Sequence, residues 1–342
     1  MELTKIQKEI LESKDSKIVV MSSAASGKTA LLTEKVRNIL RAGVEPREIA
    51  VITFTNMAAT ELIQRLGADY KEGIFIGTIH ALANYMLRVG GVDTSKILDE
   101  EKFDKLFELI VKNPGCVKKL EWVLLDEAQD SDSLQFNFLF DMINPPNFFV
   151  TGDVKQSIYR WKGSEPELLL NLANRSDVKT FSMPENFRNR IKILEFAKRL
   201  IRPTGLIDQS IPMRQNLGIV EEIYFGETAI VARINLDPEY KNWAILCRTN
   251  AEIEKVSTIL KNNNIPFDTF KQGDLTKAEL IERLAQNTVK VLTVHSAKGL
   301  EWDNVIVIGM RYFSEEERCI GYVAATRARN RLIWVKYKRG QR

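Results

Sequence analysis

Between the apolar run Ile18-Val19-Val20-Met21 and a long helical pattern, the sequence reads Ser22-Ser23-Ala24-Ala25-Ser26-Gly27-Lys28-Thr29. A buried strand that breaks into small residues and then opens a helix leaves several backbone N–H groups without intrahelical partners. They converge, with the positive end of the helix dipole, on one spot. Polyphosphate fits there: Ser26 and Gly27 lie in the cradle, Lys28 reaches the β- and γ-phosphates, and the Thr29 hydroxyl holds Mg²⁺. The usual pattern, G-x-x-x-x-G-K-[ST], has glycine where this chain has Ser22. An ordinary strand-to-helix turn rich in small residues is the competing reading. Asp126-Glu127, after the apolar strand expected over 121–125, supplies what a nucleotide hydrolase needs next. Asp126 takes the metal, and Glu127 orients and deprotonates the attacking water. Charge developing on the γ-phosphate calls for a guanidinium, for which Arg188 and Arg327 are the candidates. The ordinary fate of a lone arginine is a solvated face or a salt bridge.

These residues need elements to position them, and the pattern is β-α alternation. Strands are expected over 18–21, 49–55, 73–78, 121–125 and 148–151, with helices over 3–12, 57–66 and from Ile79 onward. Acidic groups then fall at strand ends, where ligand sites of open α/β sheets lie. After a helical stretch at 165–172 the pattern begins afresh, with strands near 178–181, 219–224, 243–248, 289–294, 305–308 and 332–335. Helical patterns lie at 190–201, 251–263, 277–284 and 315–328. The expected division is therefore a first α/β domain over residues 1–180, with a short helical insert at about 93–119, and a second over 181–342. Only the first has a phosphate loop. Thr4-x-x-Gln7 has the form of a capping box, and the Gln7 amide could equally read an adenine edge; both readings stand.

Length agrees with two domains, at about 150 residues each for the 342 present. The composition, 44% hydrophobic and 27% charged, is globular. No apolar run approaches the roughly 20 residues needed to span a bilayer, and the N-terminus lacks a signal-peptide core. A cytoplasmic protein without a membrane role, in a bacterial or viral setting and working as a monomer, is the expectation. Cys116, Cys247 and Cys319 have no metal-ligand spacing. The net charge of +4 is compatible with nucleic acid and decides nothing alone.

The motifs in order resemble the UvrD/Rep helicases of superfamily 1A. After Ser26-Gly27-Lys28-Thr29 come Thr53-Phe54-Thr55-Asn56, Gly77-Thr78-Ile79-His80, Leu125-Asp126-Glu127-Ala128-Gln129-Asp130 and Gly152-Asp153-Val154-Lys155-Gln156-Ser157-Ile158-Tyr159-Arg160-Trp161. Asn186-Phe187-Arg188, Thr293-Val294-His295-Ser296-Ala297-Lys298-Gly299-Leu300-Glu301 and Tyr322-Val323-Ala324-Ala325-Thr326-Arg327-Ala328 complete the set. The resemblance implies two tandem RecA-like domains of the P-loop NTPase type, with ATP and Mg²⁺ in the cleft between them and single-stranded DNA crossing both. It implies Gln156 as the γ-phosphate sensor, Glu301 at the ribose, and Phe187 stacked on adenine where the family more often has tyrosine. DNA contacts would come from Phe54, Asn56, His80, Tyr159, Trp161 and His295. Aromatic stacking that ignores base identity suits this, and core packing is the alternative for Tyr159 and Trp161.

The chain also departs from the family pattern. Ala25 stands where glycine is common and Ala30 where many members have arginine, which bears on ATP affinity. The intervals 81–125 and 189–292 are too short for the domain-sized inserts the family carries, and only Arg311-Tyr312-Phe313-Ser314 stand where a duplex-splitting hairpin is typical. The resulting expectation is a 3′-to-5′ DNA helicase or translocase, stimulated by single-stranded DNA and acting on duplexes with a 3′ overhang. One rival is a translocase that strips proteins or drives a partner, such as a nuclease, which supplies strand separation. The other is a nucleotide-gated DNA-binding protein with little hydrolysis. RNA as the track stays open.

Overall fold

In the computed structural model the described residues are 3–271, 274–312 and 314–338. Phe313, in the short segment noted above, lies outside them. The chain divides into two compact units. One comprises Met1–Ser22, Gly27–Val154 and Tyr159–Met183; the other comprises Ser23–Ser26, Lys155–Ile158 and Pro184–Arg342.

The first unit is built on six parallel strands: β1 (Lys17–Ser22), β2 (Ile49–Ile52), β3 (Phe75–Gly77), β4 (Trp122–Leu125), β5 (Asn147–Gly152) and β6 (Lys179–Met183), in the order β3-β2-β4-β5-β1-β6. Parallel sheets are covered on both faces, so their strands are apolar runs without alternation. In β1, Ile18, Val19 and Val20 are all fully buried. Val19 faces a core with Leu82, Met86 and Ile110, while Ile18 and Val20 face one with Ile10, Leu31 and Leu62. Register sets Val19 beside Val150 and Thr180.

The strand expected over 178–181 is thus the edge of the first sheet beside β1, not the opening of the second pattern. Its outward residues Lys179, Thr180 and Ser182 are exposed, as suits an edge. The interval 93–119 holds two short helices, Ser95–Asp99 and Lys105–Lys112, and a single 3₁₀ turn.

In the second unit a two-stranded ribbon, β7 (Glu185–Arg190) with β8 (Ile211–Arg214), accompanies a second parallel sheet. That sheet contains β9 (Ile219–Tyr224), β10 (Trp243–Cys247), β11 (Phe267–Asp268), β12 (Val289–Thr293), β13 (Trp302–Ile308) and β14 (Ala328–Lys336), in the order β11-β12-β10-β13-β14-β9. The central strand β10 is buried at every residue. The helices Glu227–Ile234 and Asn250–Asn262 close one core with β10 and β13. The ribbon and the helix Glu227–Ile234 are elements that the periodicity did not announce. Among the described residues no helix is long and apolar enough to cross a membrane.

Candidate functional site

In the first sheet β4, β5 and β1 are neighbours, and their carboxyl ends carry Asp126, Asp153 and the phosphate loop. The helix Lys28–Arg41 opens directly from the loop, with Gly27 at φ 87° as its cap. The positive φ favours glycine at this position, and an added Cβ would lie 2.9 Å from the Gln7 amide nitrogen, so the Gln7 side chain would have to shift. Gln7 itself closes the expected capping box: its Oε1 accepts from Thr4 N at 3.0 Å, and Thr4 Oγ1 accepts from Gln7 N at 3.2 Å. The cap and a place beside the loop are therefore compatible roles for one side chain.

Lys28 is buried, with Nζ 3.5 Å from Glu127 Oε1. Asp126, also buried, accepts from Thr151 Oγ1 at 2.5 Å and from Glu127 N at 2.9 Å. Burial, and then the adjacent Glu127 charge, push the Asp126 carboxyl up to about 6, while Lys28 pulls it back. Glu127 sits at φ 54°, the left-handed strain that accompanies functional turns. Its Oε2 accepts from Gln129 Nε2 at 2.5 Å, and Gln129 Oε1 accepts from Asp153 N at 2.9 Å. Gly152 makes room for this clamp, since a Cβ there would lie 2.8 Å from Gln129 Oε1. The lysine and both carboxylates are thus brought together. Gln129 and Thr151 orient them, a role that motif reading had not given to either.

These groups fit Mg²⁺. A buried carboxylate with a hydroxyl neighbour is a hard-oxygen donor set, and its raised pKa is what a nearby cation would relieve. Mg²⁺ takes one or two carboxylates together with substrate phosphates rather than an all-protein cage. No group of three or more His, Cys, Asp or Glu converges among the described residues. Thr29 lies half-buried in the first turn of its helix.

The second unit gathers most of the remaining candidates. Arg327 is buried: Nε donates to Val323 O at 3.0 Å, and Nη2 donates to Gln156 Oε1 at 3.2 Å. Lys298 Nζ donates to Gln156 O at 3.1 Å. Arg188 is paired with Glu301 and donates to Thr326 O at 3.2 Å. The other Glu301 oxygen is held by Arg329 at 2.7 Å, so this carboxylate, expected at a ribose, here carries two guanidiniums. Burial lowers the Arg188 pKa and opposes its charge, and Glu301 offsets only part of that effect. Asn186 Nδ2 donates to Ala24 O at 2.9 Å and Phe187 N to Ala25 O at 3.1 Å, so this motif grips the segment Ser23–Ser26. Ala25 stands at φ 54°, the left-handed conformation that its Cβ disfavours.

Of the residues expected at a nucleic-acid strand, Phe54 and Tyr159 stack at 5.0 Å in the first unit, and Lys162 Nζ lies 5.0 Å over the Trp161 ring. Trp161 is 63% exposed, which removes core packing as its role. Asn56 begins the helix Asn56–Leu66, capped by Thr55. His80 contacts Asp104 at 3.2 Å and the rings of Phe103 and Phe107. In the second unit His295 Nε2 lies 3.1 Å from Ile158 O, and burial keeps its pKa low.

The family model described as UvrD/REP helicase N-terminal domain matches residues 3–118 and 102–177, just over half of the chain. The chain belongs to the UvrD/REP helicase family. The family's UvrD-like helicase C-terminal domain matches residues 273–339. Among individual relatives, ATP-dependent DNA helicase Rep of Escherichia coli is 24% identical over 370 residues, covering 78% of this chain and 55% of Rep. ATP-dependent DNA helicase PcrA of Leuconostoc citreum is 23% identical, covering 76% and 49%. Gabija protein GajB of Bacillus cereus is 28% identical, covering 80% and 65%. The chain spans about half the length of the first of these curated relatives.

Proposed function

We propose that this chain is an ATP-driven motor on single-stranded DNA, a 3′-to-5′ helicase or translocase whose hydrolysis the DNA stimulates. The observation that carries the reading is the set Lys28, Asp126 and Glu127, held together beyond the ends of β1 and β4, the two strands that flank β5. Lys28 binds the β- and γ-phosphates, with the backbone N–H groups around Ser26 and Gly27 completing the cradle. Glu127, kept in place by Gln129, accepts the proton of the attacking water. Asp126 and Thr29 would hold Mg²⁺, which when bound neutralises phosphate charge. Arg188 and Arg327 stabilise charge on the transferring phosphoryl group, and the contact of Arg327 with Gln156 supports that glutamine as the reporter of the γ-phosphate. Gln7 and Phe187 hold the adenine, and Glu301 contacts the ribose when Arg188 and Arg329 release it. Phe54, Tyr159 and Trp161 stack on bases, while Asn56, His80 and His295 add polar contacts.

The relatives named as ATP-dependent DNA helicases support DNA as the track. A monomer working without a membrane fits this reading. The shortness of 81–125 and of the segment between Met310 and Glu315 favours a second version, in which the motor strips proteins or drives a partner that separates strands. Displacement of a labelled strand from duplexes with 3′ or 5′ overhangs tests the proposal. Displacement from the 3′ overhang alone, dependent on ATP, is expected. ATP-dependent movement without displacement supports the partner version. Neither movement nor displacement, with hydrolysis unaffected by Glu127→Gln, leaves a nucleotide-gated binding protein.

A further inference from the structure

The second unit buries a carboxylate to which the ATP and DNA roles give no part. Asp208 stands in the loop between the helix Ile191–Ile201 and β8, and its side chain is 1% exposed. Aspartates that close turns mostly stay in solvent, because a carboxylate is almost never fully buried unless it is paired. Here Oδ1 closes the turn, accepting from Ser210 N at 3.0 Å and from Ser210 Oγ at 2.7 Å. Oδ2 accepts from the Tyr322 hydroxyl at 3.0 Å, far along the chain. The buried Lys155 ammonium faces Oδ1 at 4.0 Å. The loop itself is anchored at its end: Ser210 O accepts from Lys198 Nζ at 2.6 Å, and Ile211 N donates to Pro184 O at 2.8 Å.

Both partners of this carboxylate adjoin residues proposed at the γ-phosphate. Lys155 precedes Gln156 in the 3₁₀ turn Val154–Gln156, which is too short to fix a side chain by its own hydrogen bonds. Tyr322 lies one helical turn before Thr326 and Arg327. Its carbonyl accepts from Thr326 N at 2.9 Å, and the next carbonyl, Val323 O, accepts from Thr326 Oγ1 and from Arg327 Nε, each at 3.0 Å. Tyr322 also lies in the electrostatic surroundings of Arg188. The turn and the helix end therefore meet twice, directly through Arg327 Nη2 on Gln156 Oε1 at 3.2 Å and again through Asp208. Lys155, Gln156, Asp208, Tyr322 and Arg327 all belong to the second unit.

Resting on the proposed motor function, we infer that Asp208 is a positioning residue for ATP hydrolysis: it sets Lys155 and Tyr322 and through them holds Gln156 against Arg327. Groups that stabilise a transferring phosphoryl act only when accurately placed, and a shift of about 1 Å far from the chemistry can cost about 10²-fold in rate. A second tie between the turn and the helix end limits such a shift. A carboxylate suits the position because it accepts donors on both oxygens and carries the charge that offsets buried Lys155. Asparagine keeps the shape, and the Tyr322 hydroxyl can turn to accept from its NH₂, so what Asp208→Asn removes is the charge facing Lys155.

The test is steady-state ATP hydrolysis at saturating oligothymidylate for the parent chain, Asp208→Asn, Tyr322→Phe and the double variant. Rates are taken below each unfolding midpoint and per nucleotide site, titrated with a fluorescent ATP analogue, so that loss of folded protein does not count as loss of turnover. For Asp208→Asn, kcat per site should fall by about tenfold or more while KM for ATP stays within about twofold, because the Lys28 cradle is untouched. Tyr322→Phe should lower kcat by about threefold or more, the order of one hydrogen bond. The double variant should lose less than the product of the two, as members of one network do. If Asp208→Asn does not fold, Tyr322→Phe, which deletes a single hydroxyl from the same tie, carries the test through its kcat and KM. A folded Asp208→Asn with kcat per site within about twofold of the parent, a change confined to KM, or fully multiplicative losses in the double variant would overturn the inference. A parent that does not hydrolyse ATP contradicts the motor reading itself, whereas an active parent with an unaltered variant overturns the role of Asp208 alone.

Discussion

Ala25 holds a left-handed backbone conformation in the phosphate loop that its Cβ disfavours by roughly 1–2 kcal/mol. Ala25→Gly removes that strain, offset in part by the greater entropy of glycine in the unfolded chain. A gain in stability of roughly 0.5–1 kcal/mol is expected, with tighter ATP binding. Thermal unfolding and nucleotide titration check it; a loss of stability would mean that the loop gains from alanine. Glu127→Gln keeps the size that Gln129 clamps and removes the base. Hydrolysis should fall by about 10²–10⁴-fold while nucleotide binding persists. At the strand, Tyr159→Ala and Trp161→Ala should each weaken single-stranded DNA by about 1–3 kcal/mol whatever the base, measured by anisotropy with oligothymidylate and oligoadenylate. A base-selective loss would instead point to edge recognition.

Strand β12 buries Lys290, whose Nζ donates to Gln286 O at 2.9 Å. Burial pulls its pKa down to about 8 from an ordinary value of 10.5. Below pH 8 the ammonium is charged in both states and the full cost of burying it is felt. Between pH 8 and the ordinary value the unfolded chain binds more protons, so this residue makes stability rise with pH. Chemical denaturation of the parent chain and Lys290→Met from pH 7.5 to 9.5 should show a shallower upward slope in the variant. Parallel slopes would contradict the shift. Elements of this kind, apolar strands buried on both faces, were legible because parallel sheets write themselves as unbroken Val, Ile and Leu runs. The edge β6 and the ribbon β7 were harder. β6 is half polar, and its pairing with β1 depends on a long-range register that no local pattern encodes. β7, Glu-Asn-Phe-Arg-Asn-Arg, has no apolar period, since its buried Asn186 and Asn189 are satisfied by hydrogen bonds to Ala24 O and Ala328 O. The site was legible wherever chemistry fixes residue type and spacing, as in Lys28 and Asp126-Glu127. The engagement of Glu301 by two arginines was not, because its partners lie far along the chain at Arg188 and close by at Arg329.

Across the whole molecule, one α/β unit carries Lys28, Asp126 and Glu127, and the other carries the loop segment Ser23–Ser26 together with Arg188, Arg327 and Gln156. The proposed motor requires that hydrolysis respond to what the second unit binds. The most direct test of that account is steady-state ATP hydrolysis with and without single-stranded DNA, alongside Lys28→Ala. The account predicts marked stimulation by DNA and its abolition by the substitution. Hydrolysis that is absent in both conditions, or that survives Lys28→Ala, would contradict it.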